Sequence, residues 1–559
     1  MRPSRRLLGF AVLGLLLLVA LEFVLFDQFG SRRVTSIYPR WNDQILYLSE
    51  AYSGYELSRT DGLAPALWHT LTNLSAQGTL HDFFAVLAFQ VVGPSRSAAL
   101  ALNFLALALW QAALFYAIYR RSGTPALAFL FAMLPLALHG PWENIPGSAY
   151  DFRLDHLGMC GFGISAALGL LTEGLRVRRW CVAFGVAVGL TLLTRFITGT
   201  YFVLIFTALF IWAALAGDRR QRLVNVLLAA GTAAVIAVPI FWLNREWVWN
   251  YYYVGHYVGP ESAIRNQNFG LQRSLEFILN ALSQRHLGSF FAKLAAVIVF
   301  VLPVLRLFAG KTAANSAPAS AHDTPDPFRR VVDIFVLGLV FLLSPLLVLT
   351  LHPQKSDVVL GVLVPGLILL LAGIAVAVGS EVERWRPGAR RALALVAALG
   401  VFSTLGYFAQ RQLRAIEQPA TTANAREVNA IADYIITTGD AAKLPTIRVA
   451  VDNITDAFDA QVLRVICYER RHVWRNFDMR LPTGIAAPED ALVRQRVADS
   501  DFVFLTDDAV PPGPYPFDHK LASLRPELRA WCEAHLRRVK TLTFNGATVT
   551  LYERPDLRK

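Results

Sequence analysis

The sequence predicts an α-helical polytopic membrane protein with a small α/β domain at its C-terminal end, and three observations lead there. Of its 559 residues 55% are hydrophobic and only 17% charged, whereas a soluble globular chain carries about a quarter charged residues. The mean hydropathy is +0.42, and apolar stretches approaching the ~20 residues of a membrane-spanning helix recur along most of the chain. The net charge of +12 is gathered in short clusters between those stretches: Arg5-Arg6, Arg120-Arg121, Arg176 with Arg178-Arg179, Arg219-Arg220 with Arg222, Arg329-Arg330, and Arg384, Arg386 and Arg390-Arg391. A nucleic-acid binder concentrates such charge on one face. Here it marks every second loop, the positive-inside pattern of a bacterial inner-membrane protein, so no nucleic-acid partner is expected.

About eleven spans are expected, near residues 7–26, 97–119, 125–139, 156–172, 180–195, 199–216, 223–243, 290–308, 332–351, 358–379 and 392–410. The first begins like a signal peptide, but no small-residue cleavage site follows Phe26, so it reads as a retained helix. The stretch 83–92 is interfacial or part of a span. With a cytoplasmic N-terminus, residues 1–410 form the transmembrane module and an odd span count places residues 411–559 outside. Residues 310–327, rich in Ala, Ser, Pro and Asp, read as a disordered cytoplasmic connector.

In the C-terminal segment Ala425, Val428, Ile431, Tyr434 and Ile435 follow helical spacing, and Ile447 to Val451 and Phe502 to Leu505 read as strands. Thr541 to Phe544 and Ala547 to Thr550 flank Asn545-Gly546, a strong hairpin signal. A small extracytoplasmic α/β domain follows. Four cysteines in the whole chain make no disulfide scaffold; Cys467 and Cys532 share the oxidising compartment and are candidates to pair if their geometry allows. No Walker, GxGxxG, HExxH or CxxC motif supports ATP, dinucleotide, zinc-protease or redox chemistry.

Ionisable residues collect in loops on the outer face rather than in mid-span, which favours a reaction at the membrane surface over passage through it. In the first outer loop Asp43 precedes Ile45, Leu46, Leu48, Ala51 and Tyr52 on helical spacing, the start of an amphipathic helix lying on the membrane. Taken alone, Asp43 reads first as a simple helix N-cap and only second as a functional acid. The second outer loop gathers Asp151, Arg153, Asp155 and His156 ahead of a span. That set is a salt-bridge anchor, a donor or acceptor site, or a weak candidate for a divalent metal. Arg195, alone at an outer turn, is a lipid-phosphate ligand or a snorkelling cation, and His352 and Lys355 carry the same alternatives. In the third outer loop, 244–289, Trp247, Trp249, Tyr251 to Tyr253, His256 and Tyr257 form an interfacial belt or a wall for a sugar or prenyl chain.

The run Trp41-Asn42-Asp43-Gln44-Ile45-Leu46-Tyr47 resembles the first-loop motif of the GT-C integral-membrane glycosyltransferases, the class that contains protein O-mannosyltransferases and the aminoarabinose transferase of lipid A. Phe84 to Pro94-Ser95, running on to Tyr119-Arg120-Arg121-Ser122-Gly123, is similar to their second-span region. Leu192-Leu193-Thr194-Arg195-Phe196-Ile197-Thr198 resembles their Thr-Lys/Arg-Pro-Thr turn, and His352-Pro353-Gln354-Lys355-Ser356-Asp357, with Val364-Pro365 and Leu371-Ala372-Gly373, their late loop and helix. Gln44 stands where many relatives have a second acid, no His-Pro-Pro follows the first loop, and the late loop lacks Arg-Tyr. The resemblance implies a GT-C-like module with an outer-face site, a polyprenyl-phosphate-linked sugar donor, and a glycan, lipid or protein acceptor of the cell envelope. It implies Asp43 as catalytic base, Asp151, Arg153, Asp155 and His156 as substrate-binding residues, and Arg195, His352 and Lys355 at the lipid phosphate. A lipid-linked glycan translocase or polymer ligase is the alternative class; a translocase needs cations at depth on several helices.

Overall fold

The computed structural model describes residues 5–38, 42–259, 261–267, 269–308, 327–379, 385–417, 423–451, 460–472, 474, 476–479, 481, 489–512, 516–544 and 547–558. The membrane part is built of α1 (Arg5–Phe29), α2 (Asn42–Thr60), α3 (Leu63–Thr72), α4 (Leu80–Val92), α5 (Arg96–Ser122), α6 (Pro125–Ala137), α7 (Leu154–Leu171), α8 (Arg178–Thr194), α9 (Thr198–Ala214), α10 (Arg219–Val248), α11 (Ser262–Arg265), α12 (Leu271–Ala281), α13 (Gly288–Ala296), α14 (Leu302–Phe308), α15 (Pro327–Leu351), α16 (Val364–Gly379) and α17 (Pro387–Glu417). Each expected span falls on helix. Among the described residues eight helical stretches are long and apolar enough to cross a membrane, and α4, α6 and α9 are shorter apolar helices. The protein is a multi-pass membrane protein. Local signals set the ends: Ser95 caps α5 through Oγ at 3.1 Å from the Ala98 N–H, and Gly123 closes it in the left-handed region. Pro125 opens α6 at a position where its missing N–H costs nothing.

The expected third outer loop is mostly helix. Residues 219–258 form one continuous helical stretch, as do 271–308. Continuation beyond α10 is explained by an aromatic ladder at four-residue spacing, Trp249 to Tyr253 at 4.2 Å and Tyr253 to Tyr257 at 6.0 Å between ring centroids.

α7 is the enclosed centre of the bundle, with 83% of its apolar window buried. Small residues let neighbours approach it: a Cβ on Gly163 would sit 2.4 Å from the Trp110 ring of α5, and one on Gly161 would sit 2.7 Å from the Thr191 hydroxyl of α8. In a membrane, where apolar burial gives helices no preference for one another over lipid, close approach of this kind is a main source of cohesion. An ionisable side chain is buried within a span, where Glu22 of α1 accepts the Gln111 Nε2–H of α5 at 3.0 Å.

The basic clusters converge on one end of the bundle. Arg176 pairs with Asp218 at 2.6 Å and Asp333 at 3.2 Å, Arg222 with Asp218 at 2.5 Å, and Arg121 with Asp333 at 3.5 Å. The ends of α5, α10 and α15 and the turn before α8 therefore share a face, as the alternation of charge in the sequence requires. The expected connector at 310–327 lies outside the described residues up to Pro327.

α17 runs to Glu417, past the expected boundary at 410. The C-terminal domain contains α18 (Ala423–Ala441), β1 (Ile447–Val451), α19 (Ala460–Arg471), β2 (Phe477–Met479), α20 (Asp490–Ala498), β3 (Phe502–Thr506), α21 (Pro516–His535), β4 (Arg537–Phe544) and β5 (Ala547–Glu553). The sheet order is β2-β1-β3-β5-β4, with β1 parallel to β2 and β3, and β5 antiparallel to β3 and β4. Phe544 pairs with Ala547, so β4 and β5 form the hairpin expected from Asn545-Gly546, residues that themselves lie outside those described. Along β3, Phe502 and Phe504 pack with α18 and α19, while Val503 and Leu505 pack with α20 and α21. Cys467 belongs to the first layer and Cys532 to the second. The sheet stands between them, so the geometry that pairing requires is not met and they form no disulfide with each other.

Replacing Gly163 with Val is predicted to displace Trp110 and cost about 1–3 kcal/mol by overpacking, read as a lower midpoint of thermal unfolding of the purified protein in nanodiscs.

Candidate active site

Asp43 lies in the first turn of α2. Ile45, Leu48, Ala51 and Tyr52 are buried as their spacing predicts, while Leu46 is 41% exposed. Their cover is protein, because α2 packs on α3, α4 and α19. This corrects the expectation of a helix whose apolar face rests on lipid.

From Asp43 a chain of charges runs inward. Its Oδ2 lies 2.9 Å from Nη2 of Arg153, which precedes α7. Arg153 Nε is also 3.8 Å from Asp151 Oδ2 and 3.7 Å from Asp155 Oδ2. Asp155 Oδ1 pairs in turn with Arg195 Nη2 at 3.1 Å. Arg195 Nη1 donates to Gln77 Oε1 at 2.5 Å, and the Tyr47 hydroxyl donates to the same oxygen at 2.8 Å. The sequence-predicted residues Asp43, Asp151, Arg153, Asp155 and Arg195 thus form one group, three carboxylates around two guanidinium groups. Asp151 and Asp155 are almost closed off, with side chains 4% and 5% exposed, while Asp43 is 48% exposed.

Backbone pairing holds Arg195 in place. The Thr79 N–H donates to the Leu193 carbonyl at 2.9 Å and the Phe196 N–H to the Gln77 carbonyl at 2.7 Å, so the end of the first loop lies against the Arg195 turn. Gly78 sits between those two bonds, and a Cβ there would lie 2.2 Å from the Thr194 carbonyl oxygen. No other residue fits. Around the inner end of the charge chain, Arg195 Nε and the hydroxyls of Tyr201 and Tyr252 are buried without an acceptor, and both tyrosines interact electrostatically with Arg195. Three unmet donors at one point favour an anionic or oxygen-rich ligand.

Asp151 accepts the Gly147 N–H at 2.5 Å. Burial pushes its pKa up to about 7; the charges of Asp155 and Asp43 add to the rise, against Arg153 and the Gly147 N–H.

The remaining predicted residues lie elsewhere. His156 is fully buried, with Nε2 3.5 Å from Cys160 Sγ one turn along α7. Lys355 Nζ donates to the carbonyls of Leu349, Thr350 and His352 at 3.0, 2.8 and 2.6 Å, closing the end of α15, and burial lowers its pKa. His352 packs edge-on against His256 at 5.1 Å and Tyr257 at 5.8 Å. Tyr252, 5.9 Å from the His256 ring, joins this aromatic group to Arg195. The carboxylates of the second loop face arginines, and among the described residues no three His, Cys, Asp or Glu side chains gather as a metal site. The donor set does not fit a divalent ion.

No protein-family model matches the sequence, and no curated protein matches it. Solved structures do. ArnT from Cupriavidus metallidurans bound to undecaprenyl phosphate superposes with a TM-score of 0.52 at 13% identity, covering 98% of this chain and 99% of that one. The same protein in its apo state gives 0.52 at 14% identity, again over 98% and 99%. The arabinofuranosyltransferase AftD from Mycobacteria is matched at 0.48 and 15% identity, over 99% of this chain and 40% of that one. The chain has the GT-C fold. The alignment with ArnT runs through the membrane helices and the C-terminal domain alike, so the GT-C likeness extends over both.

Sequence reasoning missed several neighbours of this charge chain. Gln77 has no motif; only its place in the first loop beside Gly78 marks it. Gln44 accepts the Phe152 N–H at 3.4 Å, a packing role at a position where an acid is common in the family. His81 is fully buried with no hydrogen bond to either ring nitrogen, its ring centroid 3.8 Å from that of Phe152 and its Nδ1 3.6 Å from Asp82.

An acid whose pKa is raised by folding costs stability as it ionises. The protein is therefore predicted to lose stability as pH rises from the ordinary carboxylate range through about 7. In Asp151→Asn that part of the slope vanishes, which thermal unfolding of both proteins across this window would show. A second prediction concerns Gly78→Ala: the clash with Thr194 should abolish the folded form, seen as loss of the monodisperse peak in size-exclusion chromatography.

Proposed function

We propose that the protein is a membrane glycosyltransferase that moves a sugar from a polyprenyl-phosphate carrier to a hydroxyl group of an envelope glycan, lipid or protein, at the outer face of the bacterial inner membrane. The carrying observation is the charge chain that links a half-exposed carboxylate, Asp43, through Arg153 and Asp155 to Arg195, beside which the Arg195 Nε and the hydroxyls of Tyr201 and Tyr252 are buried without an acceptor. Such transfer needs a base for the acceptor proton and donors for the departing phosphate. The GT-C fold and the undecaprenyl phosphate bound by ArnT support the donor class.

In the proposed single inverting step Asp43 takes the acceptor O–H proton while the acceptor oxygen attacks C1 of the sugar. The bond from C1 to the phosphate oxygen breaks on the opposite face, and the electron pair leaves with the polyprenyl phosphate. Arg195 and the two tyrosine hydroxyls meet the charge gained there. Arg153 fixes the Asp43 carboxylate. Asp155 orients both arginines. Lys355, its donors spent on carbonyls, contributes to the shape of the late loop, and His352 to the aromatic wall. The translocase alternative is less favoured, because an ionisable side chain buried within a span, Glu22, is an acid closed off by Gln111.

Mass spectrometry of envelope glycolipids and polyprenyl-phosphate sugars in a deletion strain tests this reading. Wild type should restore one sugar to an acceptor and remove an accumulated lipid-linked donor. Asp43→Asn should fall by ~10²–10⁴-fold and Arg195→Ala by ~10²–10³-fold. Full restoration by Asp43→Asn would remove Asp43 as base.

A further inference from the structure

The C-terminal domain grips the helix that carries Asp43. On α2, Ser49, Tyr52 and Glu56 fall on one face, and each meets α19: Ser49 Oγ accepts from Arg464 at 3.4 Å, the Tyr52 hydroxyl donates to Glu469 Oε1 at 2.9 Å, and Glu56 Oε1 accepts the Tyr468 hydroxyl at 2.5 Å. The rings of Tyr52 and Tyr468 lie 4.8 Å apart between these polar contacts, 0% and 1% exposed. The same Glu469 oxygen is 3.0 Å from Arg96 Nε at the start of α5. Arg96 also donates to the carbonyls of Ile37 at 2.8 Å and Thr35 at 2.6 Å, which lead from α1 into the catalytic loop. Glu469 is thus the point where a membrane helix, the Asp43 helix and the C-terminal domain meet.

We propose that Glu469 is a positioning residue: through Tyr52 and Arg96 the C-terminal domain sets where Asp43 stands. The inference rests on the transferase reading for its consequence, though not for its geometry. Tyr52 is nine residues along α2 from Asp43, about 14 Å of helix. A tilt of about 4° at the clamp moves Asp43 by about 1 Å on that lever, a misplacement that costs on the order of 10²-fold where reacting groups must be aligned. A domain that merely held the acceptor would have no need of a half-buried ion pair to α5. Here the carboxylate is shared between a tyrosine of the Asp43 helix and an arginine that already holds the chain leading from α1 into the first loop.

Spin labels at Leu46→Cys, exposed on α2, and Leu215→Cys, exposed at the far end of α9, would report α2 in the full chain in nanodiscs. One narrow distance is expected without further change, and a broadened or shifted distribution in Glu469→Gln. Undecaprenyl phosphate binding, measured by native mass spectrometry, should stay within about twofold, while sugar transfer in the complemented strain falls by ~10–100-fold. An unchanged distribution with full transfer overturns the proposal, as does a loss of undecaprenyl phosphate binding in proportion to transfer, which would mark a general structural role. If Glu469→Gln does not accumulate folded, Tyr52→Phe, which deletes one hydroxyl, carries the test with the same expected directions, and wild-type behaviour in it overturns the clamp. Failure of the unsubstituted protein to bind undecaprenyl phosphate would instead strike the transferase reading, and the distance distribution would still decide the clamp.

Discussion

The burial of Arg195 and Arg153 among carboxylates is the constraint on which the site depends. A guanidinium group cannot shed its charge to escape a low-dielectric setting, so it stays only where anions and acceptors surround it. Asp155, between the two arginines, meets that demand for both at once. This ties the turn between α8 and α9 to the start of α7, and the start of α7 to the tip of α2. The position of Asp43 is therefore set by electrostatics inside the protein, although Asp43 itself faces water.

Two further devices make that arrangement unique. One is covalent economy: Gly78 lets two stretches of loop backbone pair where a side chain would drive them apart. The other is the second use of charge at the opposite end of the bundle, where Arg121, Arg176 and Arg222 share Asp218 and Asp333. Four helix ends are pinned there, leaving the reactive end to be shaped by loops and short helices. Precise placement of loops on a membrane bundle needs both ends held, since helices in lipid gain little from apolar contact alone.

Much of the architecture was legible because membrane spans and basic clusters are written in composition, and Asn545-Gly546 between alternating strands announces a hairpin. Asp43, Asp151, Arg153, Asp155 and Arg195 were legible as charges gathered in loops between apolar spans. The physical reason is that a buried or interfacial charge is costly and so stands out against an apolar chain. Gln77 and Tyr201 were not, because amides and tyrosines are common at interfaces and acquire meaning only through their place beside Arg195, which lies 118 residues from Gln77. Lys355 illustrates the converse. Its sequence context marks it as a cation near the site, but the carbonyls at the end of α15 take its donors. The helical continuation of α10 was hidden for a third reason, since hydropathy registers where a helix leaves lipid and is blind to where it ends.

The two margins of the C-terminal sheet limit how this domain meets other molecules. β2, at one margin, is three residues long. β4, at the other, carries Arg537, Arg538 and Lys540. Short or cationic margins resist the addition of a further strand, so the domain neither lengthens its sheet with an extended peptide nor seeds stacking between copies crowded in one membrane. Recognition by this domain is left to its helices and loops, the surfaces that can be altered without disturbing the ladder beneath them.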